Sequence, residues 1–179
     1  MNKLLIALFA VALLALGQTG HAADARTIDK RVQETLQNLY RHAPALRPVV
    51  NNAAGVLVFP RVYKAGIGIG GDYGEGALLE GGRTTGYYNI VSGSVGFQLG
   101  AQRRAQIIVF TDRDALARFK ATNGWKAGVD ASVVLVDLGA AGNIDTNTAR
   151  EPVLGFVLGE KGLMYNATLE GSKITRIQR

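Results

Sequence analysis

The residues of this sequence that could do chemistry are a glycine string and a set of basic side chains. Residues 66–71 read Gly-Ile-Gly-Ile-Gly-Gly, which satisfies the G-x-G-x-x-G pattern of dinucleotide sites. Such a site requires a helix that begins at the third glycine, because the helix N-terminus binds the pyrophosphate. Here residues 72–76, Asp-Tyr-Gly-Glu-Gly, follow and predict a turn. The match therefore does not indicate nucleotide binding.

The glycines suggest something different when the segment is interpreted as a strand. Side chains alternate between the two faces of a strand, so Gly66, Gly68 and Gly70 share a face with Val62 and Lys64. Such a nearly bare face permits a close approach. Either another backbone or a helix packs there, which is the interpretation we favour, or a ligand lies against it.

The sequence offers little material for catalysis. It contains no cysteine, and His42 is the only histidine after residue 22. Thiol chemistry is excluded, and a single histidine disfavours a transition-metal site. Of two local carboxylate pairs, Asp72 and Glu75 lie in the expected turn, while Asp112 and Asp114 lie where a helix dipole favours acids. We predict no enzyme, no cofactor and no metal, with weak calcium binding by Asp72 and Glu75 left open.

Basic residues are the remaining polar feature. The chain carries 20 Lys and Arg against 14 Asp and Glu, and this net charge of +6 predicts anionic partners. Arg61 and Lys64 flank a predicted strand start, and Arg103 and Arg104 occupy a predicted turn. If they share one face, each adds about 1 kcal/mol of attraction to an anionic membrane; otherwise they form an ordinary solvated surface. Aromatic residues make up only 7%, too few to suggest nucleic-acid binding.

The N-terminus predicts export. Lys3 precedes an apolar run over residues 4–16, and small residues up to Ala22 offer a cleavage site. We expect residues 1–22 to be a cleaved signal peptide and residues 23–179 to form a single domain in the periplasm or cell envelope. An uncleaved N-terminal anchor is the alternative.

Residues 27–43 predict an amphipathic helix, because apolar residues recur at steps of four and three. These residues are Ile28, Val32, Leu36, Leu39 and Ala43. The polar side mixes Lys30, Arg31 and Arg41 with Asp29 and Glu34, whereas membrane-surface helices are more uniformly basic. We therefore predict that this helix is mainly a structural lid on the core.

Short β-type runs dominate after residue 55 and are interrupted by glycines that mark bends. Between them, residues 111–114 resemble a capping box and predict a mid-chain helix with Ala115, Leu116 and Phe119 facing inward. Residues 139–150 read as a loop. The predicted fold is α+β, with a strongly curved or partly closed antiparallel β-sheet and both helices, N-terminal and mid-chain, packed across it.

Several glycine-rich blocks occur together and in order over about residues 30–177. They are residues 55–60 (GVLVFP), 64–66 (KAG), 70–76 (GGDYGEG), 94–98 (SVGFQ), 100–102 (GAQ), 124–125 (GW), 128–130 (GVD), 161–163 (KGL) and 169–171 (LEG). In this combination the sequence resembles the SYLF domain family, also called Ysc84-like or DUF500. The resemblance implies lipid binding, since eukaryotic members are associated with phosphoinositide membranes and some with actin. It implies no catalytic residues for this chain.

From the resemblance and the basic residues we expect a non-enzymatic lipid-binding module of the bacterial envelope. Its partner would be an anionic phospholipid or lipopolysaccharide surface, and actin is not expected because an exported protein meets none. The residues predicted to contact lipid are Arg61, Lys64, Gly66, Gly68, Gly70, Arg103 and Arg104. The alternative is a structural or protein-interaction component of the envelope that binds no specific lipid.

Overall fold

The structure, a computed structural model, describes residues 23–96, 102–136, 147–159, 162–163 and 169–179. The predicted signal peptide at residues 1–22 lies outside the described residues, as does most of the predicted loop at residues 139–150. In strand residues 65–69, 94–96, 102 and 162–163 the backbone is described without the side chains.

The predicted N-terminal helix is confirmed as α1, Ala25–His42, and Asp24 caps it by accepting a hydrogen bond from the Thr27 backbone N–H at 2.6 Å. A 3-10 turn over Pro44–Leu46 leads into the short helix α2, Arg47–Asn51. The mid-chain helix is also confirmed as α3, Arg113–Ala121, with Ala115, Leu116 and Phe119 buried. Its N-cap is Asp112 rather than Thr111, because the Asp112 carboxylate accepts the Ala115 N–H at 2.8 Å.

Eight described strands form one curled, half-barrel sheet. They are β1 (Gly55–Glu80), β2 (Arg83–Gly96), β3 (Gln102–Phe110), β4 (Trp125–Lys126), β5 (Val134–Leu135), β6 (Val153–Gly159), β7 (Gly162–Leu163) and β8 (Lys173–Ile177). Their order is β4-β8-β2-β1-β3-β6-β5, with β7 also paired to β6. The α+β class and the curved sheet are thus confirmed. The sheet is mixed rather than wholly antiparallel, because β5 runs parallel to β6.

The central strands are buried on both faces, which explains why they read as continuous apolar runs. On one face Val56 and Val58 pack with the apolar stripe of α1, and on the other Leu57 and Phe59 pack with α3. The ring of Phe119 from α3 lies 4.9 Å from the ring of Phe110 on β3, centroid to centroid. The two helices therefore cover opposite faces of the sheet.

The interpretation of residues 72–76 as a turn is wrong, because β1 continues through them to Glu80. The chain reverses instead at Gly81 and Gly82, whose φ angles of 57° and 78° lie in the left-handed region that favours glycine. The glycines inside β1 serve another purpose. A Cβ on Gly76 would lie 2.0 Å from the Val58 carbonyl oxygen, so the strand curls back onto its own first half.

Within the described residues, no helix combines the length and apolar character needed to cross a bilayer.

Candidate functional site

An arginine-lined cleft of about 330 Å³ opens between α1, the Pro60 and Arg61 segment within β1, the start of β3 and the end of β6. Five of its lining residues are arginines: Arg31, Arg41, Arg61, Arg103 and Arg104. Among the described residues that line it, Glu34 is the one acid. We call this feature the arginine cleft.

Helix α1 supplies one wall through residues spaced three or four apart, which share a helix face. These residues are Arg31, Glu34, Thr35, Asn38 and Arg41. Local hydrogen bonds organise the wall, since the Thr35 hydroxyl donates to the Arg31 carbonyl oxygen at 2.8 Å and the Arg41 guanidinium donates to the Asn38 side chain at 3.3 Å. The adjoining apolar stripe of α1 is buried, as predicted for a lid. The helix therefore both covers the core and presents charge to the cleft.

A bulge in β1 supplies Arg61. Phe59 pairs with Gln106 and Val62 with Arg104, so Pro60 and Arg61 together lie opposite the single residue Ala105. A bulge of this kind redirects a side chain and alters the alternation of faces along the strand. Arg61 is half-buried at the cleft wall.

Arg103 and Arg104 lie within β3, so the turn predicted for them is wrong. Their surroundings differ. Arg103 is exposed and lies directly opposite Tyr63, on the face covered by α1. Arg104 lies opposite Val62, whose side chain belongs to the core on the α3 side, and its guanidinium pairs with the buried carboxylate of Asp72. Arg104 borders the cleft with its charge already neutralised.

Lys64 does not line the cleft. It follows Tyr63 in the strand, so alternation directs it to the face opposite Arg103. The cleft thus brings together three of the four basic residues, Arg61, Arg103 and Arg104, and leaves out Lys64. Their contact with lipid stays a prediction. The side-chain surroundings of Gly66 and Gly68 lie outside the described part of the structure, whereas Gly70 pairs with Ser94 in the β1–β2 ladder.

The electrostatics of the cleft favour an anion. Within the described residues, Arg31, Arg41, Arg61 and Arg103 form no salt bridge. A guanidinium is always charged near neutral pH and presents a planar set of donors that matches phosphate oxygens in pairs. The cleft is also within the usual size range of small-ligand sites, about 300 to 1,000 Å³. The arrangement is therefore suited to holding a phosphate or another compact anionic group.

The calcium site left open at Asp72 and Glu75 is not formed by these carboxylates. Because both residues lie in a continuous strand three positions apart, they belong to opposite faces. Each carboxylate pairs with a different arginine, Asp72 with Arg104 and Glu75 with Arg179. Across the described segments, no group of three His, Cys, Asp or Glu side chains is arranged to hold a metal ion.

Sequence reasoning missed the contribution of Arg31 and Arg41. Their charges were assigned to a mixed polar surface because Asp29 and Glu34 lie nearby in sequence. In the structure Asp29 turns away and accepts hydrogen bonds from Thr84 and Tyr87, at 2.9 and 3.0 Å. The steps of three and four residues that lead from Arg31 to Arg41 along α1 were the signal that could have placed both arginines on one wall of the cleft.

Comparison with known proteins gives one family match. Residues 91–179 match the family model Ysc84, which is described as "Las17-binding protein actin regulator". A search of curated proteins found no match. The matched segment includes Arg103 and Arg104, whereas α1 and Arg61 precede it.

Proposed function

Because the chain is a member of the SYLF, or Ysc84-like, family, we propose that it is a non-enzymatic lipid-binding module of the bacterial envelope. In this proposal the arginine cleft, and not a scattered basic surface, contacts the anionic lipid. The protein would be exported through its predicted signal peptide and would meet the lipid from the periplasmic side.

The observation that supports this proposal is the convergence of arginines from distant parts of the sequence. Arg31 and Arg41 come from α1, Arg61 from β1 and Arg103 from β3, and these four form no salt bridge with a described residue. Concentrating like charge costs free energy in the absence of a counter-ion, so the arrangement favours an anionic ligand. The most abundant compact anions at an envelope surface are the phosphates of lipid headgroups.

Phosphatidylglycerol, cardiolipin and lipopolysaccharide are the lipid classes we propose. The family description refers to actin regulation and to binding Las17. We do not extend either role to this chain, since export would separate the protein from cytoplasmic actin.

Vesicle cosedimentation tests the proposal with two double variants that change charge equally. The first, Arg61→Glu with Arg103→Glu, alters the cleft. The second, Arg118→Glu with Lys126→Glu, alters exposed positions on the opposite side of the sheet, near α3. Both are compared with the unmodified protein on phosphatidylglycerol and phosphatidylcholine vesicles at low and physiological salt.

We expect the cleft variant to bind phosphatidylglycerol vesicles at least about tenfold more weakly, since each basic residue at an anionic surface contributes about 1 kcal/mol. The control variant should lose much less, and binding of the unmodified protein should fall as salt rises. Equal losses in both variants would show that only net charge matters, and the cleft assignment would then be wrong. If the unmodified protein bound no vesicle, the alternative of a structural or protein-interaction component would be favoured.

A further inference from the structure

We propose that Tyr63 is the membrane anchor of the arginine cleft, so that the anion bound there is a lipid phosphate within a bilayer surface and not a free phosphate. This inference rests on the proposed lipid-binding function. It adds the orientation in which the protein meets the membrane, with the Tyr63 edge of the cleft facing the lipid.

Tyr63 lies beside the arginine cleft. Tyr63 and Arg103 are directly opposite each other in the antiparallel pair of β1 and β3. Directly opposed residues have Cβ atoms about 5 Å apart and on the same face. Since Arg103 lines the cleft, the tyrosine lies at its edge.

The side chain of Tyr63 is unusually exposed for its size. Tyr63 is 48% exposed, among the few large hydrophobic side chains of the described residues with such exposure. A single exposed aromatic residue is ordinary on a protein surface. Here, however, the exposed ring lies directly opposite Arg103, which lines the cleft and forms no salt bridge with a described residue.

Tyr63 and Arg103 together provide the chemistry that a bilayer surface requires. A tyrosine has an apolar ring and a polar hydroxyl, and such side chains settle at the headgroup level of a bilayer. A guanidinium on the same face would reach the phosphates at that depth. A free phosphate would be satisfied by the arginines alone and would leave the ring in water. The combination therefore favours a bilayer surface carrying anionic lipid.

Tyr73 provides a matched control within the same strand. It is 47% exposed, almost the same as Tyr63, but its hydroxyl donates to the Glu75 carboxylate at 2.8 Å. The same carboxylate pairs with Arg179, so Tyr73 lies beside an ion pair and not beside an arginine of the cleft. Tyr73 should not take part in docking.

The experiment compares Tyr63→Ser with Tyr73→Ser in the mature protein, residues 23–179. Binding is measured to phosphatidylglycerol vesicles and, separately, to glycerophosphoglycerol, the same headgroup without acyl chains. We expect Tyr63→Ser to weaken vesicle binding about tenfold, because the variant has no aromatic ring to bury in the membrane interface. It should leave binding of the soluble headgroup unchanged, and Tyr73→Ser should alter neither.

A second readout locates the side chain directly. The chain has one tryptophan, and Trp125 is buried at 2% exposure. In a Tyr63→Trp variant, lipids with bromine-labelled acyl chains should quench the introduced indole while Trp125 continues to emit. The same vesicles should not quench a Tyr73→Trp variant.

Vesicle binding of Tyr63→Ser at the level of the unmodified protein, or an unquenched indole at position 63, would overturn the inference. If the Arg61→Glu, Arg103→Glu variant still lost binding in that case, the proposed lipid function would survive and only the anchor would be wrong. Equal loss of vesicle and soluble-headgroup binding in Tyr63→Ser would place Tyr63 in the anion site and not at the membrane. A chain that binds no vesicle overturns both proposals.

Discussion

The guanidinium of Arg104 donates a hydrogen bond to the carboxylate of Asp72 across the interior of the curled sheet, between residues 32 apart in sequence. Asp72 is 5% exposed. Among the described residues, the second oxygen of its carboxylate and the Nε of Arg104 find no hydrogen-bond partner, and neither does the nearby buried Oε1 of Gln106. A buried charge pair of this kind is costly to break, because removing one partner leaves the other uncompensated in a poorly solvated site.

Asp72→Ala should therefore lower the free energy of unfolding by about 3 to 5 kcal/mol. Urea denaturation measures this, with Arg103→Ala as the control because Arg103 is exposed and forms no salt bridge with a described residue. The control should change stability by less than about 0.5 kcal/mol. Similar stability losses for the two variants would mean that the pair does not hold the sheet.

Gly76→Ala should destabilise the protein by about 3 kcal/mol or more, at the upper end of overpacking costs. The added Cβ would lie 2.0 Å from the Val58 carbonyl oxygen, and neither backbone segment is free to move. Gly93→Ala is the control, since a Cβ there meets nothing within 4 Å. It should leave stability unchanged or raise it by up to about 1 kcal/mol. A normal unfolding midpoint for Gly76→Ala would contradict the close approach of the two halves of β1.

The packing expectation for Gly68 and Gly70 stays a prediction. Valine at either position should cost about 1 to 3 kcal/mol if the glycine face is packed. Thermal unfolding of both variants, together with vesicle binding, checks this. Normal melting with lost binding would instead assign the face to a ligand.

Leu36→Asp should lower the melting temperature strongly, because it places a charge where Leu36 packs in the core beneath α1. Gln37→Asp, at the exposed neighbouring position, should melt almost normally. Calorimetry on the two variants separates the effect of a charge placed in the core from the effect of the same charge at an exposed position. A normally melting Leu36→Asp that failed to bind vesicles would show that α1 contacts the membrane and is not a lid.

The pair of Glu80 and Lys120 predicts a pH dependence of stability. The Lys120 ammonium donates to the Glu80 carboxylate at 2.8 Å, and this hydrogen bond, helped by one from Thr85, lowers the pKa of Glu80 below its ordinary value of 4.5. A carboxyl group whose pKa is lower in the folded state than in the unfolded state stabilises the protein at pH values above its unfolded-state pKa. That contribution is lost as the pH falls through its folded-state pKa.

Glu80→Gln should therefore be slightly less stable than the unmodified protein at neutral pH, and the difference should shrink as the pH falls below 4.5. The pair is substantially exposed, so the effect should be small and reduced by salt. Urea unfolding at several pH values measures it. A stability difference independent of pH would exclude the ion pair as its cause.

Local features of this protein could be predicted from sequence because they depend on residues close together in the chain. The apolar period of residues 27–43 predicted α1, and the inward residues of α3 were identified correctly. The expectation that no helix begins after residues 66–71 was confirmed, since β1 continues through them. The turn predicted at residues 72–76 was wrong because glycine suits both a turn and a strand that must approach another backbone.

Only the tertiary structure decided which basic residues lie together. The bulge at Pro60 and Arg61 sets which side chains of β1 and β3 share a face, and it separates Lys64 from Arg103. The long-range placement of α1 then adds Arg31 and Arg41 to Arg61 and Arg103. The sequence determined the number of charges and the anionic character of the expected partner. Their convergence depends on the curl of the sheet and on the packing of α1, which arise from contacts between segments distant along the chain.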